Sequence, residues 1–410
     1  MLKPLKLKKI ISIAVGVGLV IGSVASAEAV IRHRTAVDHH SCSEAAPGSV
    51  SCLAIKRVVS VNGIAPRISS PRALIEPNGS EVFGMRQLRQ AYGITALGSK
   101  NNVIVVVDAY HSASAFADLN YYRSTFGYAP LVGCGIATSE DQCFRQYHQD
   151  GSRATGSTTD QGWAQETVLD VEMATAMCPN CSISVVETDT PSFDDFNTAV
   201  EFASTIPGVQ AISNSYGGPE ANERDYPAYE HAYQKGIAVV ASAGDSGFGV
   251  ESPASFQHVI AVGGTSLYAN TRGTYSRETA WSGSGSGCAR GPAPEWQEAS
   301  ITHCNGKAIA DVSAVADPAT GVAVYFESQW MIFGGTSASA PIIAGLLALK
   351  HNFGAPGSSK DTAGQYIWNH RDRLHDVASG NNGRCRNFCT SITGWDGPTG
   401  LGTPQGTGGF

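Results

Sequence analysis

The chain has 410 residues, 42% hydrophobic and 15% charged, with 46 glycines and a formal charge of −7. That composition excludes an intrinsically disordered chain and supplies enough apolar residues for one large core or two smaller ones. The acidic balance, with no basic run beyond the first ten residues, argues against nucleic acid as a partner.

Lys3, Lys6, Lys8 and Lys9 precede an apolar stretch from Ile10 to Val24 that ends in Ala25-Ser26-Ala27. This order reads as a secretory signal over residues 1–27, cut after Ala27. The rival reading, an uncleaved anchor, fits less well, because the stretch is short and holds Gly16, Gly18 and Gly22. Losing those four lysines takes the formal charge from −7 to about −11. The chain is thus expected to be exported, with no membrane association after cleavage. Ten cysteines suit an oxidising compartment, and nearest-neighbour pairing is the simplest scheme: Cys42/Cys52, Cys134/Cys143, Cys178/Cys181, Cys288/Cys304 and Cys385/Cys389. Cys178 and Cys181 could also form a redox or zinc motif, but no second C-x-x-C accompanies them.

Residues 28–84 read as irregular, punctuated by Pro66, Pro71 and Pro77, and form a short pro-segment or N-terminal arm rather than a domain. A helical pattern starts at Met85, with Leu88, Ala91 and Tyr92 on one face. Residues 103–107 are a continuous apolar run ended by Asp108, as in a buried parallel strand. Similar runs lie at 183–187, 209–213, 237–241 and 259–262, separated by helical stretches at 162–177, 193–205 and 225–235. Alternation of this kind predicts an α/β fold with a central, mostly parallel sheet flanked by helices, in one domain over residues 85–410.

Residues 329–333 are apolar and aromatic, Gly334-Gly335-Thr336-Ser337 follows, and an apolar stretch runs from Ile342 to Lys350. A strand, a glycine turn and a helix would set the Ser337 hydroxyl at a helix N-terminus, where developing negative charge is favoured. Pro341 is expected in the first turn of that helix. Taken alone, the serine is equally well explained as a helix cap. Glu166 and Asp170 are four apart on a predicted helix, so both carboxyls share one face, and in a cleft such a pair divides its protons for acid–base work. Asp245 lies in a glycine turn after the 237–241 run, at the carboxyl end of the sheet where active sites gather. His111, His148, His231 and His258 stand in no histidine-triad context.

Three motifs in chain order, Glu166-x-x-x-Asp170, Ser242-Ala-Gly-Asp245-Ser-Gly247 and Gly335-Thr-Ser337-x-x-x-Pro341, resemble the sedolisins, or serine-carboxyl peptidases. Ser213–Gly218, Ala261–Thr265 and Ala310–Pro318 extend the likeness, which runs from about Met85 to Pro404. The resemblance implies a subtilisin-like three-layer fold. It implies Ser337 as nucleophile, Glu166 as general base, Asp170 as the group orienting Glu166, and Asp245 at the oxyanion position. A carboxylate can take the serine proton in acid, and an Asp donates to an oxyanion only while protonated, so both demands favour acid pH. The family also implies one structural calcium ion, held here by the carboxylates of Asp376 and Asp396 and the carbonyls of Val377, Ile392 and Gly394.

The expectation is therefore a secreted, monomeric serine-carboxyl endopeptidase acting on proteins or peptides. Family members usually carry a long folded pro-domain, and the segment between Ala27 and Met85 is too short for one. Two other readings compete. One is a catalytically silent relative acting in protein or cell-surface binding. The other is a histidine-triad subtilisin with Asp108 as its acid.

Overall fold

An apolar strand whose side chains point alternately to two faces needs cover on both, and that requirement organises this chain. The computed structural model describes residues 34–74, 82–134, 142–270, 272–350, 353–386 and 388–410. The expected signal at 1–27 lies outside them. In chain order the elements are β1 (Arg34–His40), β2 (Ser51–Cys52), β3 (Ile55–Val61), α1 (Met85–Ala91), β4 (Val103–Ala109), α2 (Ala115–Thr125), β5 (Val132–Gly133), β6 (Cys143–His148) and α3 (Gln161–Met177). There follow β7 (Ser182–Thr188), α4 (Phe193–Ala203), β8 (Val209–Asn214), β9 (Tyr216–Pro219), α5 (Ala228–Gln234), β10 (Ala238–Ser242), β11 (Glu251–Ser252), β12 (Ile260–Ala269) and β13 (Tyr275–Ala280). The last ones needed here are β14 (Gly287–Pro292), α6 (Ala299–Thr302), β15 (Gly306–Ile309), β16 (Val312–Val315), β17 (Val322–Phe326), β18 (Gln329–Gly334) and α7 (Thr336–Lys350).

Among the described residues the central sheet has nine strands, in the order β13-β12-β10-β8-β4-β7-β6-β5, with β16 also paired to β12. Only the β12–β13 pair in it is antiparallel. Along β4, Ile104 and Val106 pack with Ile183 and Val185 against Val168 and Leu169 of α3 and Ile342, Ile343 and Leu346 of α7. Val105 and Val107 point the other way, with Val186, onto Phe193, Phe196 and Val200 of α4 and Tyr229 of α5. One strand thus feeds two cores, and the result is the expected three-layer, subtilisin-like arrangement.

The predicted strands and helices all form, with shifted ends. β4 continues through Asp108 to Ala109 and β12 runs on to Ala269. α5 starts at Ala228 rather than near Asp225, after a 3-10 turn over Glu223–Asp225. Pro227 explains the break, since the residue before a proline avoids helical backbone, and Tyr226 has φ −131° and ψ 66°. Pro341 corrects the sequence reading: it is the sixth residue of α7, inside the helix rather than in its first turn. Its missing N–H would have bonded the Ser337 carbonyl, so that carbonyl loses its intrahelical donor.

The arm differs most from expectation. Far from irregular, it carries three strands. β1 pairs antiparallel with β3 from Arg34↔Val61 to His40↔Ile55, and β3 pairs with β18, the strand that leads into α7. These partners are remote in sequence, which is why local pattern did not disclose them. All five disulfides follow the nearest-neighbour scheme. Among the described residues no helix is long and apolar enough to cross a membrane.

Behind the sheet, Asp311 forms a fully buried ion pair with Lys307, Nζ to Oδ2 at 2.8 Å. The same carboxylate accepts the Ala261 N–H at 2.9 Å, Gln297 Nε2 at 2.8 Å and Trp368 Nε1 at 3.0 Å, tying β12 to the turn before β16. Removing one partner strands the other charge in the core. Lys307→Met is expected to lower stability by about 3–5 kcal/mol, read from the denaturant midpoint.

Candidate active site

The carboxyl ends of the parallel strands and the N-terminus of α7 meet at one place, and the predicted residues lie there. Asp108 is the sixth residue of β4, Asp245 sits in the turn after β10, and Ser337 is the second residue of α7. Glu166 and Asp170 come one turn apart from α3, which packs alongside α7. Burial is complete for Ser337, Glu166, Asp170 and Asp108, and Asp245 is 8% exposed.

Glu166 Oε2 accepts the Ala54 N–H at 2.8 Å. Its Oε1 has no hydrogen-bond partner among the described residues. The Ser337 hydroxyl donates instead to the Ser215 carbonyl at 3.1 Å. It lies close enough to Glu166 to favour the ionised carboxylate, and a serine hydroxyl swings between such acceptors by rotation alone. Neither carboxyl oxygen of Asp170 or Asp108 makes a hydrogen bond of good geometry with the described residues. The polar neighbours of Asp170 are Asp108, Glu166 and the Ser215 hydroxyl. No cation is paired with these three acids among the described residues.

Three carboxyls buried together cannot all ionise, because each charge lacks water and repels the others. Burial first, then the charge of Asp108, pushes Glu166 well above the usual carboxylate range. Asp170 rises for the same reasons, with Glu166 adding to the effect. Asp108 is pushed up to about 8, mainly by burial, with the nearby Thr167 hydroxyl opposing. The cluster therefore holds protons at pH values where ordinary carboxyls have lost them.

Asp245 is arranged differently. Its Oδ1 accepts both the N–H and the hydroxyl of Thr336, each at 2.8 Å. Oδ2 is buried with no hydrogen-bond partner among the described residues. Burial raises this group to about 8, against the pull of Thr336 and helped by nearby Glu251. With two donors already on Oδ1, Oδ2 is the oxygen left free to carry a proton. That oxygen would lie 2.7 Å from a Cβ built on Gly335, whose φ of +92° and tight surroundings suit only glycine.

Among the described residues no histidine joins the cluster. His111 Nδ1 pairs with Glu187 Oε2 at 2.7 Å, and His258 bridges Glu230 and Glu295, so the histidine-triad alternative lacks its base. Sequence reasoning brought together Ser337, Glu166, Asp170 and Asp245. It missed the Thr336 clamp, and it gave Asp108 a part only in the rival triad. The available signal was its place at the carboxyl end of a buried parallel strand.

The predicted calcium residues also converge. Asp376 Oδ2 accepts the Gly394 N–H at 3.0 Å and Asp396 Oδ2 the Ile392 N–H at 3.1 Å. Asp396 Oδ1 accepts both the N–H and the hydroxyl of Thr399 at 2.9 Å, and that hydroxyl lies 3.5 Å from the Val377 carbonyl. The donors are all oxygens, two carboxylates and three carbonyls, the hard set that suits calcium. Among the described residues no group of three or more His, Cys, Asp or Glu side chains forms a metal cluster.

The fold is a subtilisin-like architecture, and the cluster sets one serine among buried carboxyl groups. The chain belongs to the subtilase family, whose model matches residues 151–383. Within that family it is similar to the sedolisins. It is 33% identical over 294 residues to kumamolisin of Bacillus sp. (strain MN-32), covering 63% of this chain and 52% of the relative. To sedolisin of Pseudomonas sp. (strain 101) it is 33% identical over 224 residues, covering 47% of this chain and 37% of the relative. The chain thus spans about half, or less, of the length of these relatives. Its fold is similar to the solved Pseudomonas sedolisin, a serine-carboxyl proteinase complexed with two molecules of pseudo-iodotyrostatin. The TM-score is 0.66 at 24% identity, over 79% of this chain and 95% of that one.

The raised carboxyls fix a sign for stability. Asp108 and Asp245 near 8, and Glu278 and Glu251 near 7, bind protons more tightly folded than unfolded. Their contribution is fully present below the ordinary carboxyl range and is lost as pH rises through 7–8. The melting temperature is expected to fall by several degrees between about pH 5 and pH 8. A scanning-calorimetry series across that range checks it, and a rising curve contradicts the assignment.

Proposed function

We propose that the chain is a secreted serine-carboxyl endopeptidase with an acid optimum. The observation that carries this reading is the convergence of one serine with carboxyl groups only. In the proposed reaction Ser337 Oγ attacks the peptide carbonyl and Glu166 takes its proton, then returns it to the departing amine. Asp170, held in the same pocket, keeps Glu166 in register and shares protons with it and with Asp108. Asp245 donates from Oδ2 to the developing oxyanion, supported through Oδ1 by Thr336. A donor of this kind is worth about 10²–10³ in kcat.

Both limbs of the pH profile follow. At low pH the base must lose a proton, and burial together with Asp108 delays this in Glu166. At high pH Asp245 loses the proton it donates, at about 8. The five disulfides support an oxidising, extracellular setting. Residues 28–84 are read as pro-segment or arm, 85–410 as the peptidase domain, and the whole as a monomer acting on protein or peptide substrates.

Hydrolysis of a denatured protein across pH 3–8 is the test. Ser337→Ala and Glu166→Ala are expected to lose activity by at least about 10⁴-fold. Asp245→Asn keeps a donor that needs no proton, so it should retain part of the activity and lose less of it toward pH 8. A wild-type rate that stays flat from pH 4 to pH 8 counts against the mechanism.

We also propose that Asp376, Val377, Ile392, Gly394 and Asp396 hold one structural calcium ion. Bound there, it would supply positive charge to two carboxylates and cross-link two loops. Chelation is expected to lower the melting temperature, and added calcium to restore it; an unchanged melting curve removes the ion from the account.

A further inference from the structure

A fifth carboxyl stands beside the site, and the reaction described above makes no use of it. Glu251 opens β11, which pairs antiparallel with β9 at Glu251↔Pro219 and Ser252↔Gly218. Its side chain packs against two glycines. A Cβ built on Gly217 would lie 1.9 Å from Glu251 Oε2. One built on Gly244 would lie 2.9 Å from Glu251 Cδ, 3.0 Å from Oε1 and 3.2 Å from Oε2. The carboxyl thus fills a cradle that exists because two positions carry no side chain, and Gly244, with φ +115°, suits only glycine on backbone grounds as well. Gly244 immediately precedes Asp245, so the cradle holds Glu251 against the turn that carries Asp245.

The two acids differ in their surroundings. Asp245 is 8% exposed, takes both donors of Thr336 from α7, and has Glu166 of α3 as a further acid neighbour. Glu251 is partly exposed and forms no ion pair among the described residues. β9 and the arm set only Gly217 and the Leu53 side chain against it, and the ionisable group it faces is Asp245. Neighbouring carboxyls divide their protons unequally: the better solvated one ionises first, and its charge then holds the proton of the other. We propose that Glu251 is a positioning residue, which takes the negative charge of the pair and thereby keeps the proton on Asp245. This rests on the peptidase reading above and adds to it the group that sets the alkaline limit of the Asp245 donor.

The sign follows from the order in which the protons leave. Burial pushes Glu251 up to about 7. Burial also raises Asp245, to about 8, with Thr336 opposing and the charge of Glu251 adding to the rise. In acid both carboxyls are protonated, and Glu251 is then a neutral neighbour without effect on the donor. As pH rises Glu251 ionises first, and its charge delays the loss from Asp245. Remove that charge and Asp245 ionises at a lower pH, so the donor fails earlier. Glu251 therefore acts on the alkaline limb of the pH profile and leaves the acid limb, set by Glu166 and its neighbours, in place.

The test compares wild type with Glu251→Gln, which fills the same cradle without a charge. kcat and KM are measured on denatured haemoglobin from pH 4 to pH 9, with released amino groups counted after quenching at one pH, and a melting curve at pH 5 checks the fold of each variant. The expected result is an unchanged acid limb and an alkaline limb of kcat lowered by about one pH unit, leaving the variant about one fifth of the wild-type kcat at pH 8. Glu251→Asp should return the limb toward wild type. Glu251→Ser, which empties the cradle, should give the same displacement as glutamine and serves where glutamine is not accommodated. In an Asp245→Asn background there is no proton to hold, so Glu251→Gln should leave the kcat profile where it was. A kcat profile of Glu251→Gln that coincides with wild type overturns this inference alone. So does a KM raised equally at every pH with the limb unmoved, which makes Glu251 a substrate contact only. An equal displacement in the Asp245→Asn background places its action on another group and also overturns it. A folded wild-type chain that hydrolyses no haemoglobin at any pH overturns the peptidase reading, and this inference with it.

Discussion

Placing several carboxyl groups together in a dry interior with no cation beside them is costly, and this constraint shapes the centre of the protein. Asp108, Glu166 and Asp170 are buried against one another. A buried acid with no counter-ion keeps its proton, so the cluster behaves as a reservoir of shared protons rather than as three negative charges. A histidine in the same position would lose its proton when buried and would need an ionised acid behind it. Carboxyls avoid that need, because the form favoured by burial is the one that can donate. The same logic applies to Asp245, whose burial favours the protonated form, the one able to donate a hydrogen bond.

The scaffold supplies the geometry through elements that have little freedom. Asp108 leaves the end of β4, which is covered on both faces, and Glu166 and Asp170 ride on α3, itself packed against α7. The path from β18 through Gly335 to Ser337 has to turn sharply, and it can do so because Gly335 takes φ +92°. Thr336, between the turn and the serine, fixes Asp245 with two hydrogen bonds from one residue. Ser337 and the carboxyl of Asp245 are thereby set by adjacent positions of a single helix start. Pro341 adds to this local design by leaving the Ser337 carbonyl without its helical donor.

The arm connects the scaffold to the chemistry. β3 extends the antiparallel pair β17–β18, so the chain that passes over Glu166 is tied to the strand that carries Ser337 into place. Through this pairing the arm contributes to the burial that raises the acids, since Ala54 occupies one oxygen of Glu166. The burial of Glu166 and the contacts of Leu53 and Ala54 with the site are consequences of one short stretch of backbone.

Much of this was legible without coordinates. Runs such as 103–107 and 183–187 state by composition alone that they are covered on both faces, and their alternation with helices states the layers. The pairing of cysteines at separations of 3 to 16 residues was likewise readable, because close spacing leaves few other partners. Glu166 and Asp170 were placed on one helix face by their spacing, and Ser337 at a helix start by its glycines. Contacts between remote segments were not readable: the grip of Thr336 on Asp245 Oδ1, the entry of Asp108 into the acid cluster, and the strand order of the arm. A local pattern reports which face a residue presents, whereas the partner on that face, and hence its charge state, is chosen only when the chain closes on itself. The sequence by itself determined the layers, the disulfides and which groups are candidates for the site. Only the tertiary structure decided which of them share protons and which stretch of backbone lies across them, because both depend on distances between segments more than fifty residues apart.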